Sequence, residues 1–328
     1  MADGSTYEST ELNAAKGVAS EDQFVQGAAV PIAVRDSGGD GAPIVLLHGI
    51  GRTLLDWEAV LPLLSAEYRV ISMDLRNHGH SGAGVWTWPA VLSDVSCVLT
   101  RFDARDAVLV GHSLGGIIAA CYAQAHPATR GVINLDGFGK GRPEQYVGIA
   151  PIVVRERLRR VTVLEAAHLG AVLTPQEAEA QIAQAQQPQP TDRGAEAQAR
   201  VSALRRRFEA VAEGVAQRPS RAEFVEIREQ LALIDIFEVV ASLRCPTLMV
   251  RATQPTAQQA DIPWLMELHA AHAKGMQSRL DQLAATAANI RVQYLDASHA
   301  LVAEQPEAVA ALISHFVNSM AYQASDLH

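Results

Sequence analysis

Six short apolar runs recur along the chain, and turn-forming residues bound each of them. The runs are continuous rather than alternating, which is typical of strands that are buried on both faces of a parallel sheet. The predicted strands are PIVLLHG (43–49), YRVISMD (68–74), AVLVG (107–111), GVINLDG (131–137), PTLMVRA (246–252) and IRVQYLD (290–296). Before them, the segment FVQGAAVPIAVRD (Phe24–Asp36) has the pattern of an antiparallel hairpin.

Between the apolar runs lie amphipathic stretches of helical length. The clearest of these predicted helices are Asp56–Glu67, Pro89–Arg101, Leu114–His126 and Glu304–Met320. Because strands and helices alternate through short links, the pattern predicts an α/β fold with a mostly parallel, doubly wound sheet.

One region, from about Gly139 to Leu231, contains no convincing buried strand. It is rich in Ala, Gln, Arg and Glu, and helical periodicity flanks a polar loop at 184–194. Long insertions in compact domains usually carry a function. We therefore interpret 139–231 as a helical cap over one end of the sheet; the alternative is a surface excursion without a function.

The cap interpretation divides the rest of the chain. Residues 24–138 and 232–328 are predicted to form the core, and the polar residues 1–23 to form a disordered tail. A second, smaller excursion at 253–289 contains a predicted helix near Pro263–Leu283.

Polar residues with useful chemistry follow five of the six predicted strands. Ligands of parallel sheets bind at the carboxyl ends of the strands, so these residues are candidates for a site. In chain order they are His48-Gly49-Ile50-Gly51, Asp74, Ser113, Asp136 and Ala297-Ser298-His299. The exception is the fifth strand, which leads into Thr253-Gln254-Pro255.

The segment VLVGHSLGGIIAA (108–120) places Ser113 between glycines, where a predicted strand meets a predicted helix. A bare GxSxG motif is weak evidence, and the alternative is a turn serine. The strand before it and the helix after it are the context of a nucleophile elbow. A serine there needs a base within hydrogen-bond distance and a carboxylate that orients the base.

Several segments together resemble the α/β-hydrolase family over about 24–138 and 232–322. They are VLLHGIGRTLLDW, VISMDLRNHGHSG, VLVGHSLGG, IDIFEVVASLRCPTLMV and SHALVAEQPEAVAALISHF. The resemblance implies that Ser113 is the nucleophile and His299 the base. It also implies that the backbone N–H groups of Ile50 and Leu114 form an oxyanion hole, and that no metal or organic cofactor takes part.

The triad acid is not obvious, because most family members carry it in the turn after the strand before the last. Here that turn reads VRATQPTAQQAD and offers no carboxylate at the expected place. Asp136 is the first choice, since a strand end positions a carboxylate more precisely than a long loop does. Asp261, further along the loop, is the second choice, and Asp296 ranks last.

Further residues are candidates for the substrate pocket, although each also has a plain structural interpretation. Trp86 and Trp88 either line the pocket or hold the start of a helix, and His168 either faces the pocket from the cap or packs ordinarily. Arg251 ends a strand near the expected site. His48 is expected to support the oxyanion loop. The pocket candidates are thus His48, Trp86, Trp88, Arg251 and His168.

Composition narrows the partners and the compartment. The formal net charge of −9 argues against nucleic acid or an anionic membrane as the partner. Three cysteines without metal-like spacing indicate free thiols in a reducing compartment. The N-terminus lacks a basic start before an apolar stretch, so we expect no signal peptide, no membrane span and a cytoplasmic location.

The sequence therefore favours a serine hydrolase that cleaves a small or medium apolar ester, lactone or thioester. A carbon–carbon bond hydrolase, an acyltransferase and a haloperoxidase-like enzyme would keep the same triad and stay open. A non-catalytic or slow receptor that uses the pocket for binding is an alternative of another class. The sequence leaves the oligomeric state open.

Overall fold

The computed structural model describes residues 21–168, 170–188, 196–254 and 262–325. In these ranges the strands are β1 (Gln23–Gln26), β2 (Pro31–Asp36), β3 (Pro43–Leu47), β4 (Arg69–Met73), β5 (Val108–His112), β6 (Gly131–Leu135), β7 (Val172–Leu173), β8 (Phe208–Val211), β9 (Gly214–Gln217), β10 (Thr247–Ala252) and β11 (Ile290–Leu295). The helices are α1 (Leu61–Leu64), α2 (Trp88–Arg101), α3 (Leu114–Ala125), α4 (Pro151–His168), α5 (Pro175–Gln186), α6 (Glu196–Arg206), α7 (Arg221–Leu231), α8 (Ile236–Ala241), α9 (Pro263–Thr286), α10 (Leu301–Glu304) and α11 (Pro306–Ser325).

Eight strands form the central sheet in the order β1-β2-β4-β3-β5-β6-β10-β11. The six strands from β4 to β11 in this order pair in parallel, while β2 runs antiparallel to β4 and β1 antiparallel to β2. The predicted α/β class, the six parallel strands and the entry hairpin are therefore confirmed. Strand β11 lies at the edge and is only partly buried, unlike β5 and β6, whose residues are all buried.

The core has two layers because the sheet is covered on both faces. Side chains alternate along a strand, so Val45 and Leu47 of β3 face one cluster while Ile44 and Leu46 face the other. Helices α2, α3 and α8 contribute to the first cluster, and α1 and α11 to the second. This double burial explains why the strands read as continuous apolar runs.

Prolines divide two of the predicted helices. The stretch 56–67 forms a 3-10 turn at Leu54–Trp57 and then the short helix α1, which has Pro62 at its start. The stretch 304–320 is divided into α10 and α11, and Pro306 begins α11. Proline lacks the N–H group that a continuing helix requires, but it is well suited to the first turn. Within the described ranges, no helix combines the length and apolarity needed to cross a membrane.

Residues 139–231, which we name the insertion, lie between β6 and α8. They hold helices α4 to α7 and a small antiparallel sheet in the order β7-β9-β8. The sequence predicted helices only. Most residues of β7 and β8 are exposed or partly buried, so their sequences carry no continuous apolar run that would reveal them.

A buried ion-pair network ties the insertion to the core. Arg206, at the end of α6, donates from Nε to Oδ2 of Asp74 at 2.8 Å. Its Nη1 lies 2.8 Å from Oδ2 of Asp22. Asp74 also accepts the backbone N–H groups of Leu54 and His80. Asp74 is therefore a structural residue, which holds two turns and one end of the insertion together.

Asp22 and Gln23, which were assigned from the sequence to a tail of residues 1–23, are part of the folded structure. Asp22 accepts hydrogen bonds in this network, and strand β1 begins at Gln23. Residues 1–20 of the predicted tail lie outside the described ranges.

Candidate functional site

Ser113 lies in a sharp turn between β5 and α3, with φ 53° and ψ −115°, a conformation that a non-glycine residue rarely adopts. Its N–H donates to the carbonyl oxygen of Leu135 at 2.9 Å, which fixes the turn to β6. A Cβ atom on Gly115 would lie 2.1 Å from the carbonyl oxygen of Leu47, and one on Gly111 would lie 2.1 Å from Gly115. The glycines therefore allow α3 to pack directly against the sheet.

His299 lies beside Ser113, although 186 residues separate them in the chain. Its Nε2 is 3.0 Å from the Ser113 hydroxyl, and its Nδ1 is 2.6 Å from Oδ2 of Asp136. A carboxylate only accepts, so Nδ1 carries the ring proton and Nε2 is free to accept from the serine hydroxyl. The three side chains thus form one continuous chain of hydrogen bonds.

Asp136 is held by the neighbouring strand. Its Oδ1 accepts the N–H of Ala252 at 3.0 Å, and its own N–H donates to the carbonyl oxygen of Val250 at 2.8 Å. Both partners belong to β10, the strand after which the acid was expected from the family resemblance. Asp136 at the end of β6 therefore reaches the same place from the adjacent strand.

Neither of the two other candidates for the triad acid is described in contact with His299. Asp261 lies outside the described residues. Asp296 accepts from Nε2 of Gln254 at 2.6 Å rather than from His299. Among the described carboxylates, Asp136 is the one that contacts the His299 ring.

Two backbone N–H groups stand beside Ser113 without an acceptor among the described residues. Leu114 is the first residue of α3, and the first N–H groups of a helix have no partner within it. Ile50 is a central residue of the turn closed by the hydrogen bond from Arg52 N–H to the carbonyl oxygen of Gly49. Both residues line the same cavity as Ser113, and the helix dipole places partial positive charge there.

The cavity has a volume of about 570 Å³ and lies between the core and the helices that cross its opening. Its floor includes Ser113, His299 and Asp136. Its apolar wall comes from α3, the loop after β6, α4, α7 and α9, namely Ile117, Phe138, Leu158, Val161, Leu164, Leu231, Leu265, Leu268 and Met276. This size suits a small or medium organic molecule.

A profile of the Alpha/beta hydrolase family matches residues 44–312. The chain belongs to this family of hydrolases. Epoxide hydrolase B of Mycobacterium tuberculosis is 35% identical over 136 residues, which cover 35% of this chain and 38% of that protein. The sn-1-specific diacylglycerol lipase ABHD11 of Xenopus tropicalis is 34% identical over 95 residues, 28% of this chain and 30% of that protein. The chain thus spans well under half the length of either relative.

Solved structures of other alpha/beta hydrolases share the architecture. The E-2-(Acetamidomethylene)succinate Hydrolase has a TM-score of 0.64 at 21% identity, over 91% of this chain and 99% of that chain. The enol-lactonase from Burkholderia xenovorans LB400 has a TM-score of 0.56 at 20% identity, over 90% of this chain and 100% of that chain. At these identities the likeness shows the fold alone.

Among the predicted pocket residues of this alpha/beta hydrolase, His48 is bonded to the loop that contains Gly49 and does not line the cavity. Its Nδ1 donates to the carbonyl oxygen of Gly49 at 2.7 Å, and its Nε2 accepts the N–H of Leu75 at 3.0 Å. Complete burial lowers the pKa of His48 to about 3, so the ring stays neutral.

The predicted pocket residues Trp86, Trp88 and Arg251 do not line the cavity either. Trp86 is fully buried and packs edge-on against Trp88 with the ring centroids 5.2 Å apart, while Trp88 donates to the carbonyl oxygen of Gln230 on α7. They pack at the start of α2. The guanidinium of Arg251 donates to Gln277 on α9 at 2.7 Å.

For His168 the structure describes only the backbone, at the end of α4. Its side chain lies outside the described residues, and its proposed position in the pocket stays a prediction.

His112 is a supporting residue to which sequence reasoning gave no role. Its buried ring donates from Nε2 to the carbonyl oxygen of His299 at 2.8 Å. Burial lowers the pKa of His112 to about 3, so the ring remains a neutral donor to the loop that carries His299. The only signal in the sequence was its place next to Ser113.

Charged residues also reach the cavity wall, where the sequence predicted an apolar substrate. Lys140, Glu165 and Arg228 line it beside the apolar side chains. They come from three distant segments, so no local motif could have revealed them.

Within the described ranges, no three His, Cys, Asp or Glu side chains come together as a metal ion would require.

Because three histidines are buried, we expect the free energy of unfolding to decrease in mild acid. Burial lowers the pKa values of His48, His78 and His112 to about 3, against about 6.5 in an unfolded chain. Below pH 6.5 the unfolded state therefore binds protons that the folded state cannot. The free energy of unfolding should fall by about 1.4 kcal/mol per pH unit for each histidine as the pH decreases from 6.5 towards 3.

Urea unfolding at several pH values between 7.5 and 5 measures this slope. His78→Asn should make the slope shallower, because one buried histidine is removed. His315→Asn is the matched control, since His315 is exposed on α11, and it should leave the slope unchanged. An unfolding free energy that stays constant down to pH 5 would contradict the prediction.

Proposed function

We propose that this alpha/beta hydrolase is a serine hydrolase that cleaves a carboxylic ester, lactone or thioester through an acyl-enzyme on Ser113. The observation that carries the proposal is the continuous hydrogen-bond chain from Ser113 through His299 to Asp136 on the floor of the cavity. A serine hydroxyl is a weak nucleophile, and an adjacent oriented base is what activates it.

In the proposed mechanism, Ser113 attacks the carbonyl carbon of the substrate while Nε2 of His299 takes its proton. Asp136 holds Nδ1–H and stabilises the imidazolium that forms. The N–H groups of Ile50 and Leu114 donate to the oxyanion, and each such donor contributes about 3 kcal/mol to lowering the barrier. His299 then protonates the leaving group, and a water molecule, activated by the same ring, releases the acid. These steps use no cofactor.

The insertion, residues 139–231, acts as the cap in this proposal. Its helices α4 and α7 supply part of the wall above Ser113 and leave the core to supply the triad. Substrate selection would therefore reside in the insertion, while bond cleavage resides in the core.

The serine at the elbow argues against epoxide hydrolysis, which is the reaction of one of the relatives. A typical epoxide hydrolase uses an aspartate as its nucleophile, whereas this chain has Ser113 at the elbow. The proposal therefore favours acyl chemistry, which fits the diacylglycerol lipase among the relatives better than the epoxide hydrolase.

Labelling with a fluorophosphonate tests the proposal. Such a probe reacts with an activated serine, and intact-protein mass should show a single adduct on the native protein. The Ser113→Ala variant and the urea-unfolded protein should show none. The native protein should also hydrolyse members of a panel of nitrophenyl esters and thioesters. A folded protein that takes no adduct and hydrolyses no member of the panel would contradict the proposal.

A further inference from the structure

Three charged side chains from separate elements meet on the cavity wall. Lys140 follows β6 four residues after Asp136, Glu165 lies on α4, and Arg228 lies on α7. The Lys140 ammonium and the Arg228 guanidinium each approach the same carboxylate oxygen of Glu165 at 2.7 Å. We name these three residues the cation cluster.

The cation cluster carries an excess of positive charge. Two cations share one carboxylate, so its formal net charge is +1. The other acidic residue that lines the described cavity is Asp136, which bonds to His299. Arg52, which also lines the cavity, is paired with Asp56. Among the described residues, Glu165 is thus the one carboxylate that forms an ion pair with Lys140 and Arg228.

The neighbouring histidines do not offset this charge. Burial, together with the nearby Lys140, lowers the pKa of His269, and burial lowers that of His272 to about 4. Both rings line the cavity, and the lowered pKa values favour their neutral form. Burial also lowers the pKa of Lys140 to about 8, which is the direction expected for an ammonium with too little negative charge around it.

The cluster also has more hydrogen-bond donors than acceptors. Lys140 has three N–H donors and Arg228 has five, whereas Glu165 offers two oxygens. The Nε of Arg228 is buried without a hydrogen-bond partner among the described residues. A ligand oxygen at the cluster would add both the missing charge and the missing acceptors.

We propose that the cation cluster binds a carboxylate group of the substrate, remote from the bond that is cleaved. The substrate would then be an anionic ester, lactone or thioester, such as a half-ester of a dicarboxylic acid, and not a wholly apolar one. This inference rests on the proposed function, because it assigns the other end of a molecule whose acyl carbon lies at Ser113.

Matched substrate pairs test the inference. We would compare mono-4-nitrophenyl esters of succinic, glutaric and adipic acid with the same compounds whose free carboxyl group is capped as a methyl ester. For at least one chain length, kcat/KM should be about tenfold higher for the anionic member, since one charge-assisted hydrogen bond contributes about that factor.

Two variants of opposite charge distinguish substrate binding from a purely structural ion pair. Lys140→Gln should lower the anionic-to-capped ratio about tenfold. Glu165→Gln, measured at pH 6 where Lys140 keeps its proton, should raise the ratio because the competing carboxylate is gone. A structural cluster would instead give a ratio that moves in the same direction, or not at all, in both variants, and this would overturn the inference.

Arg157→Gln is the matched control. Arg157 also lies on α4 and forms an ion pair with Glu267 at 2.7 Å, but it does not line the described cavity. Its replacement removes one positive charge, as Lys140→Gln does, but from outside the cavity on the helix that carries Glu165, so a ratio equal to that of the wild type is expected. A ratio that falls as far as in Lys140→Gln would show a general charge effect and overturn the inference.

A binding measurement separates failure of this inference from failure of the proposed function. Calorimetric titration of Ser113→Ala with glutarate should show binding that is weakened about tenfold in Ser113→Ala/Lys140→Gln. Turnover of the capped esters with a ratio near one, and no glutarate binding, would overturn the inference and leave the serine hydrolase intact. Glutarate binding without any turnover or fluorophosphonate adduct would overturn the proposed function alone.

Discussion

Replacement of Ser113 by alanine is expected to reduce kcat for any ester substrate by about 10⁵- to 10⁶-fold. The proposed acyl-enzyme forms on the Ser113 hydroxyl, which lies 3.0 Å from Nε2 of His299. No other described side chain bonds to that nitrogen. The folded state should survive, because the change removes one oxygen atom and leaves the backbone hydrogen bond to Leu135 in place. Steady-state hydrolysis of 4-nitrophenyl esters measures the loss.

A serine outside the site controls for the loss of a hydroxyl group. Ser242 is exposed at the end of α8, and its hydroxyl donates to the carbonyl oxygen of Val239. Ser242→Ala should keep the wild-type kcat, and circular dichroism should show that both variants fold. If Ser113→Ala kept more than about a hundredth of the wild-type kcat, the acyl-enzyme mechanism would be wrong.

The change Asp136→Asn is expected to lower kcat by about 10⁴-fold. An asparagine in this position can present its amide N–H to Nδ1 of His299, which favours the ring tautomer with the proton on Nε2. That nitrogen then cannot accept the proton of Ser113. Kinetics with the same esters measure the effect, and the fluorophosphonate adduct should form far more slowly.

Asp296→Asn is a control with the same chemical change on the same loop as His299. Asp296 bonds to Gln254 and not to the His299 ring, so this variant should keep a kcat near that of the wild type. Near-wild-type turnover by Asp136→Asn would refute the assignment. Asp261→Asn would then be the next variant to test.

The fold could be predicted from the sequence because its signals are local. The runs from PIVLLHG to PTLMVRA are mainly apolar, since strands covered on both faces bury most of their side chains. The edge strand β11 is only partly buried, and its run IRVQYLD is more polar. The exposed strands β7 and β8 bury too little surface to leave such a run, and they were missed for that reason. The amphipathic pattern predicted one helix from Glu304 to Met320, but α11 begins at Pro306. Proline was therefore a better local signal for the start of this helix than the amphipathic pattern.

The candidate site was only partly predictable, because its members differ in how much they depend on distant contacts. Ser113 has a motif, since strand, turn and helix are consecutive in the chain. His112 donates to the carbonyl oxygen of His299, 187 residues away, and no pattern in the sequence records this contact. For Trp86 and Trp88 the sequence left two positions open, the pocket and the start of a helix, and the structure places them at the start of α2.

By itself, the sequence determined the family, the order of the strands along the chain and the residue types at their carboxyl ends. These follow from periodicity and from steric rules that act over a few residues. The tertiary structure decided which carboxylate meets His299, and it brought Lys140, Glu165 and Arg228 to one wall above Ser113. Contacts between distant segments depend on how the helices of the insertion pack over the sheet, and packing is a property of the whole chain.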